Sequence, residues 1–488
     1  MTNAALPTSM RAITFRLVGV LFLVELVSGI LQGFYVPLIP RLVEHLRIAD
    51  ADYNWFEAAQ LLLSALAVPV LAKLGDMIGH KKILLISTAL TAGATWWMAF
   101  AGDFTTFLIA FALQGFYVVW LPLEVALIFD RGRRTATGAS QTRRAAGFLV
   151  VALEAGAIIG ALSGARVFRM FGGEVTPTLI IPAIAVSLVF FAILFGVQES
   201  EPLPGRKLDV GGFVILTLAL LFITSGLGYL RLPDPIIPLV VALIVVGLLL
   251  IIPFVRYERR QSDPAIDLKV LAQPTMWPVL LTAGLFGISV LGAQAPLATY
   301  AGTDRVNGYG LGLEEDVISY LIGAYLVSMI VGAVLFPLLS RRATPRIALI
   351  VAAFFVAAGY LMFLPLHDEV WQVVLNMVIA GIGSGALVAA LPAAAAAAAP
   401  RGQTGIAAGL TNTTKTIGGS FASSVFGVVL AVGAVSAVGA AASFSGYVVV
   451  WLVCGIGALV SALVLFLVPK HAFADAVEEP AEDVIPSA

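Results

Sequence analysis

The chain has 488 residues, 60% of them hydrophobic and 12% charged. Soluble domains carry about 25% charged residues, so most of this chain cannot face water and a soluble fold is excluded. A net charge of -1 offers no basic surface for nucleic acid. The single Cys454, set in an apolar run, leaves no disulfide and no cysteine metal site and reads as a small packing residue.

A helix needs about 20 apolar residues to cross the hydrocarbon core, and about fourteen runs qualify. They are Leu17 to Pro40, Trp55 to Ala72, Ile83 to Ala101, Thr106 to Phe129, Ala146 to Phe168 and Thr178 to Phe195. Val210 to Leu230 and Ile236 to Phe254 come next, followed by Met276 to Ala298, Val317 to Leu339, Ile347 to Leu366, Val370 to Pro392, Gly405 to Leu430 and Gly446 to Val468. The first run is too long for a secretory signal and lacks its small-residue cleavage pattern, so it is expected to be a retained span. The alanine run Ala393 to Ala399 reads as the end of span twelve.

The polar breaks set the organisation. Gln198 to Asp209 and Arg256 to Lys269 are the longest charged interruptions. They divide an all-α membrane protein into a six-helix bundle (1–197), two inserted transmembrane helices with their linkers (198–270) and a second six-helix bundle (271–470). The tail, 471–488, is acidic and poor in apolar residues, a composition expected to be disordered. Fourteen crossings put both termini on one side. Of the 28 lysines and arginines, only Arg41, Arg47, Arg166, Arg169, Arg231 and Arg305 then fall on the other side, with Lys415 inside a span. Cations gather on the cytoplasmic side, so the expected location is the cell membrane, multi-pass, with cytoplasmic termini.

Leu31-Gln32-Gly33-Phe34-Tyr35-Val36 recurs letter for letter as Leu113-Gln114-Gly115-Phe116-Tyr117-Val118. The copies sit in spans one and four, which run in opposite directions. This is the mark of a three-plus-three inverted repeat, a common plan for secondary transporters.

Between spans two and three lies Ala72-Lys73-Leu74-Gly75-Asp76-Met77-Ile78-Gly79-His80-Lys81-Lys82. It resembles the G-x-L-a-D-r-x-G-r-k-x loop of the major facilitator superfamily. The resemblance implies the major facilitator fold, two six-helix bundles plus two inserted helices (14 transmembrane helices). It also implies a gating loop in which Gly75, Asp76, Gly79, Lys81 and Lys82 take part, Asp76 matching the acid that makes charge contacts with a neighbouring helix. In span five, Gly147, Gly156, Gly160 and Gly164 follow the glycine register of the antiporter branch. Glycines four apart line one face and allow close helix packing.

Asp209-Val210-Gly211-Gly212, Arg259 to Pro264, and Gly405 to Lys415 with Gly418-Gly419 are similar to segments of the fourteen-span drug:proton antiporters. Two positions differ from that family. Phe111 stands where its fourth span has arginine, and Leu31 where its first span has aspartate.

Charged groups inside a bilayer cost roughly 2.5–3.5 kcal/mol on insertion scales and tend to be functional. Glu25, Glu124 and Glu154 fall inside spans one, four and five and are the proton-coupling candidates. At about 1.5 Å rise per residue, Glu25 lies about 10 Å and Glu124 about 15 Å nearer the cytoplasm than the repeat glutamines. The expected cavity therefore holds carboxylates in its cytoplasmic half and amides nearer the centre. A buried carboxyl suits reversible proton binding, because desolvation opposes its charged form; pairing with Lys415 or a loop arginine is the structural reading of the same residues.

The substrate-cavity candidates are Gln32, Tyr35, Gln114, Tyr117, Trp120, Gln294, Asn376, Asn412 and Lys415. Lys415 could hold an anionic head group, pair with an acid, or snorkel. Trp96, Trp97, Trp277 and Trp451 read as interface anchors.

These features point to a secondary active transporter exporting hydrophobic or amphipathic small molecules by alternating access. It would act as a monomer in the lipid bilayer, driven by a proton gradient with no cofactor, no metal and no nucleic-acid partner. There is no phosphate-binding G-x-x-x-x-G-K-[ST] loop and no catalytic triad, so neither ATP-driven pumping nor an enzyme is expected. Import or facilitated transport of a metabolite or lipid is a second reading. A membrane scaffold or receptor with no turnover is a third.

Overall fold

The computed structural model describes residues 15–132, 138–200, 202, 208–230, 232, 234–261, 264, 266, 268–398, 404–432 and 441–469. They are helical, with turns between helices. The first half comprises α1 (Phe15–Phe34), α2 (Ile39–Leu46), α3 (Tyr53–Ile78), α4 (His80–Ala99), α5 (Phe104–Gln114), α6 (Trp120–Gly132), α7 (Gly138–Met170) and α8 (Val175–Gly196). The inserted pair is α9 (Val210–Tyr229) and α10 (Ile237–Glu258). After a single turn, α11 (Leu268–Leu271), come α12 (Trp277–Val290), α13 (Gln294–Gly302), α14 (Glu315–Arg342), α15 (Pro345–Met362), α16 (Val370–Ala398), α17 (Thr404–Ala431) and α18 (Phe444–Leu465).

Twelve of these helical stretches are long and apolar enough to cross a membrane. The fourteen runs also include Ile83 to Ala101 and Gly405 to Leu430, which fall on α4 and α17. The first carries Lys81, Lys82 and four serines and threonines, the second the Thr411–Lys415 run, and this dilutes their hydropathy. Both pack on neighbouring helices, α4 against α8 and α17 against α3 and α12.

Burial divides the molecule into two apolar cores. One is centred on residues 17–197 and the other on residues 276–468. The inserted pair belongs to neither core. α9 and α10 pack on each other, α9 leans on α3 and α17, and α10 turns Leu239, Val241, Leu248 and Ile252 outward. The cores meet where α3 packs on α17 and α7 on α14.

The repeated hexapeptide builds the same local structure twice. At the first copy α1 stops at Phe34 and a 3-10 turn, Val36–Leu38, leads into α2; at the second α5 stops at Gln114 and Gly115–Val119 is 3-10 before α6. Pro37 and Pro40 lack the N–H that would continue the first helix. A third break, Leu291 to Ala293, separates α12 from α13. Each break lets a polar side chain point between the bundles.

α1 and α7 pack backbone to backbone. A Cβ at Gly156 would strike the Leu26 carbonyl, one at Gly160 the Ile30 carbonyl and one at Gly164 the Phe34 carbonyl; Gly29 and Gly33 meet Leu153 and Ala157 in return. The equivalent pair in the second half repeats the pattern, with Gly287 against the Lys415 carbonyl and Gly418 against Gly284. Gly147 is the exception among the four span-five glycines. It is exposed, with nothing within 4 Å of where its Cβ would be, because nine residues before Gly156 is about two and a half turns and puts it on the opposite face of α7.

Candidate functional site

At the end of the molecule remote from residues 15 and 469, the two halves are tied together. Arg41 reaches from α2 to Glu315 on α14 and also pairs with Glu44 at 2.9 Å. Arg169 on α7 pairs with Asp316, and Pro40 packs on Gly302. Further in, Ser420 Oγ on α17 donates to the Ala58 carbonyl of α3 at 2.8 Å.

Beneath this closure lies a chamber between the halves with a volume of about 60 Å³. That is room for a few waters and far below the roughly 300–1,000 Å³ of a site closed on a drug-sized ligand. Gln32 and Tyr35 from the first repeat, Tyr117 from the second and Gln294 from the α12–α13 break line it. Phe111 and Leu31, at the two positions that differ from the antiporter pattern, are part of its apolar wall. The Phe111 ring stands edge-on to Tyr35 and to Tyr53, 6.0 Å from each.

Gln114 is fully buried just behind the wall. Its amide nitrogen donates to Tyr35 Oη at 2.8 Å and to Thr95 Oγ1 at 3.2 Å, and its oxygen accepts from Gln60 Nε2 at 3.1 Å. Such a network fixes side chains more firmly than its separate bonds would.

Three lining residues of α3, Tyr53, Glu57 and Gln60, were not among the sequence candidates. Glu57 is 8% exposed and faces the Ala295 backbone and Ser423 of the other half; its Oε2 makes no hydrogen bond. The signal was there. Tyr53, Glu57, Gln60 and Ser64 follow one another at helical spacing and share a face. Glu57 escaped because span two was started at Trp55, which put this acid at the membrane edge; α3 begins at Tyr53.

The three proton-coupling candidates do not line the chamber. Glu25 and Glu124 are brought together, on α1 and α6, close enough to feel each other's charge, and both are fully buried. Ser28 faces Glu25 from one turn further along α1, yet the four carboxyl oxygens make no hydrogen bond of ordinary geometry. Tyr117 joins the two regions, because its ring is within the fields of both Glu25 and Glu57. Glu154 is placed elsewhere, on α7, where it is matched in charge by Lys415 of α17 across the halves, with Tyr325 beside it.

Three further cavity candidates are placed outside the chamber. Trp120 is fully buried in the first core, edge-on to Tyr117 at 6.2 Å. Asn376 is buried on α16, where its Nδ2 holds the Leu366 carbonyl at 2.6 Å and so anchors the turn before that helix. Asn412 is half-buried on α17, one turn from Lys415.

The loop between α3 and α4 turns at Gly79, whose φ of 110° favours glycine. Asp76 approaches His80 Nε2 at 3.3 Å. Glu199, just after α8, accepts from the backbone N–H groups of Lys81 (2.9 Å) and Lys82 (3.2 Å), and so caps α4 from another part of the chain. Lys81 Nζ donates to the Leu194 carbonyl at 2.9 Å. A Cβ at Gly75 would press on Leu123 and His80, and this closeness ties the loop to α6.

Two helical bundles around a polar chamber, with acids buried in membrane-spanning helices, define a multi-pass membrane transporter. The sequence model of the Major Facilitator Superfamily matches residues 21–423, and the chain belongs to that family. Over 405 residues it is 26% identical to the puromycin resistance protein pur8 of Streptomyces alboniger, covering 80% of this chain and 77% of that one. It is also 26% identical over 279 residues to a uridine/deoxyuridine transporter of Lactococcus lactis, covering 56% of this chain and 55% of that one. Among solved structures, the peptide transporter POT in complex with sulfate aligns with a TM-score of 0.66 at 15% identity, over 96% of this chain and 99% of that one. The last likeness concerns the fold alone.

Proposed function

We propose that this protein exports hydrophobic or amphipathic small molecules across the cell membrane in exchange for protons. It does so as a monomer with fourteen crossings and both termini in the cytoplasm. The observation that carries the reading is the buried Glu25–Glu124 pair, without hydrogen-bond partners and one tyrosine away from a chamber between the halves. Two like charges side by side in a low-dielectric interior repel strongly, so the pair acts as a unit that gains or loses a proton as water reaches it.

Substrate occupies the chamber, and protons occupy the pair behind Tyr117. The cation bias toward the terminus-bearing side supports the orientation and makes the Arg41–Glu315 end the outer one. The conformation described is then closed to the outside. The halves part there by breaking the Arg41–Glu315 and Arg169–Asp316 pairs, while the Gly-lined α1–α7 and α12–α17 seams keep each half rigid. The likeness to a resistance protein supports export. The likeness to a uridine/deoxyuridine transporter supports the second reading, import of a metabolite.

Flux into proteoliposomes under an imposed pH gradient separates these. An exporter that exchanges for protons concentrates a dye, a lipid analogue or a metabolite from the panel on the acidic side, and collapse of the gradient abolishes the accumulation. Accumulation on the alkaline side means symport and sinks the export reading. Flux that ignores the gradient sinks proton coupling altogether.

A further inference from the structure

We propose that Glu57 is the counter-ion site for a protonated amine, so that the chamber selects organic cations over neutral or anionic molecules of the same shape; this rests on the chamber being the substrate site. Glu57 is the sole acid or base among the lining residues, the phenols aside, and Lys415 lies outside that lining. A carboxyl more than nine-tenths buried holds its charged form only beside a charge partner. The protein provides none in the lining, and Glu57 Oε2 is left without a hydrogen bond.

The surroundings fit an ammonium group. Tyr53, Tyr117 and Phe111 present aromatic surface around the carboxylate, and a desolvated cation is attracted to such faces. The Gln32 and Gln294 side-chain oxygens are available to accept its remaining N–H bonds, since Gln294 uses its amide nitrogen on the Val290 carbonyl at 2.9 Å.

The position of Glu57 also gives it a second partner set. It faces the Ala295 backbone and Ser423 across the interface between the halves. A cation that takes the carboxylate therefore sits where the two halves approach each other.

The test is calorimetric binding of benzylammonium, benzyl alcohol and phenylacetate to the purified full chain, with gradient-driven flux measured on the same preparations. The wild type is expected to favour benzylammonium over both others by on the order of tenfold or more. Glu57→Gln is expected to erase that preference, while Glu57→Asp keeps part of it and so shows that a folded chamber was being measured. A wild type with no preference for the cation, or a Glu57→Gln variant that keeps it, overturns the proposal. Gradient-driven flux of neutral compounds together with either result leaves the transport reading standing. Absence of any gradient-driven flux in the wild type fails the transport reading separately.

Discussion

Glu25→Gln and Glu124→Gln are each expected to reduce substrate accumulation from about 100-fold to none under a gradient of about two pH units. Two units store ~2.7 kcal/mol, at about 1.36 kcal/mol each, and one proton per substrate converts that into about 100-fold accumulation. Glutamine keeps the size and polarity of the side chain and removes only its ability to ionise. Downhill exchange of substrate should therefore persist in both variants while uphill movement stops. Because the two carboxyls face each other on α1 and α6, they should not behave independently. The double variant is expected to be no worse than either single one, the non-additivity of residues that act as a unit. Flux and exchange assays on the same vesicles read both quantities, and uphill accumulation surviving in either variant contradicts the assignment.

The second large effect is on the structure. Gly156→Leu and Gly160→Leu are each expected to destabilise the protein by about 1–3 kcal/mol or more, the range for overpacking a filled interior. A Cβ at either position runs into the backbone carbonyl of Leu26 or Ile30. Backbone cannot rotate away as a side chain can, so α7 must back off from α1 along its length. Gly147→Leu is the internal control. It faces open space and should shift stability by no more than about 0.5 kcal/mol, as surface changes do. Thermal unfolding in detergent, followed by tryptophan fluorescence, compares the three. Equal losses at all of them would mean that glycine content, rather than this contact, sets the stability of α7.

Much of the fold could be read from the chain because lipid imposes simple rules on it. Long apolar runs, the cation bias and the exact hexapeptide repeat each answer to one constraint, and the repeat pointed to paired positions whose tyrosines both line the chamber. The repeat did not foretell that both copies would break their helices into 3-10 turns; Pro37 and Gly115 only permit that conformation. Spacing placed Glu25 and Glu124 toward the same end, and the structure puts them side by side. It could not separate Glu154, which pairs in charge with Lys415 on the other half, because which half a helix face meets is decided by packing.

Glu57 shows the limit most clearly. An error of two residues in a helix start moved a buried acid to the supposed membrane edge, while its polar stripe of Tyr53, Gln60 and Ser64 went unread. Gly147 shows the converse, since the nine-residue step of its motif is about two and a half turns and turns it to the face of α7 away from α1. Trp120 and Asn376 sit on α6 and α16, which give the chamber no lining residue, and the hydropathy of a helix apolar all round says little about which face meets a cavity.

The account turns on two halves that separate at the end they now close. The most direct measurement is the distance between spin labels on Glu44→Cys and Val306→Cys, both exposed at that end on opposite halves, with the buried Cys454 left unlabelled. Pulsed electron resonance in nanodiscs is expected to show a short and a long population, with the long one growing as pH falls and vanishing from its pH dependence in Glu25→Gln. A single short distance at every pH, in a protein that still transports, would contradict it.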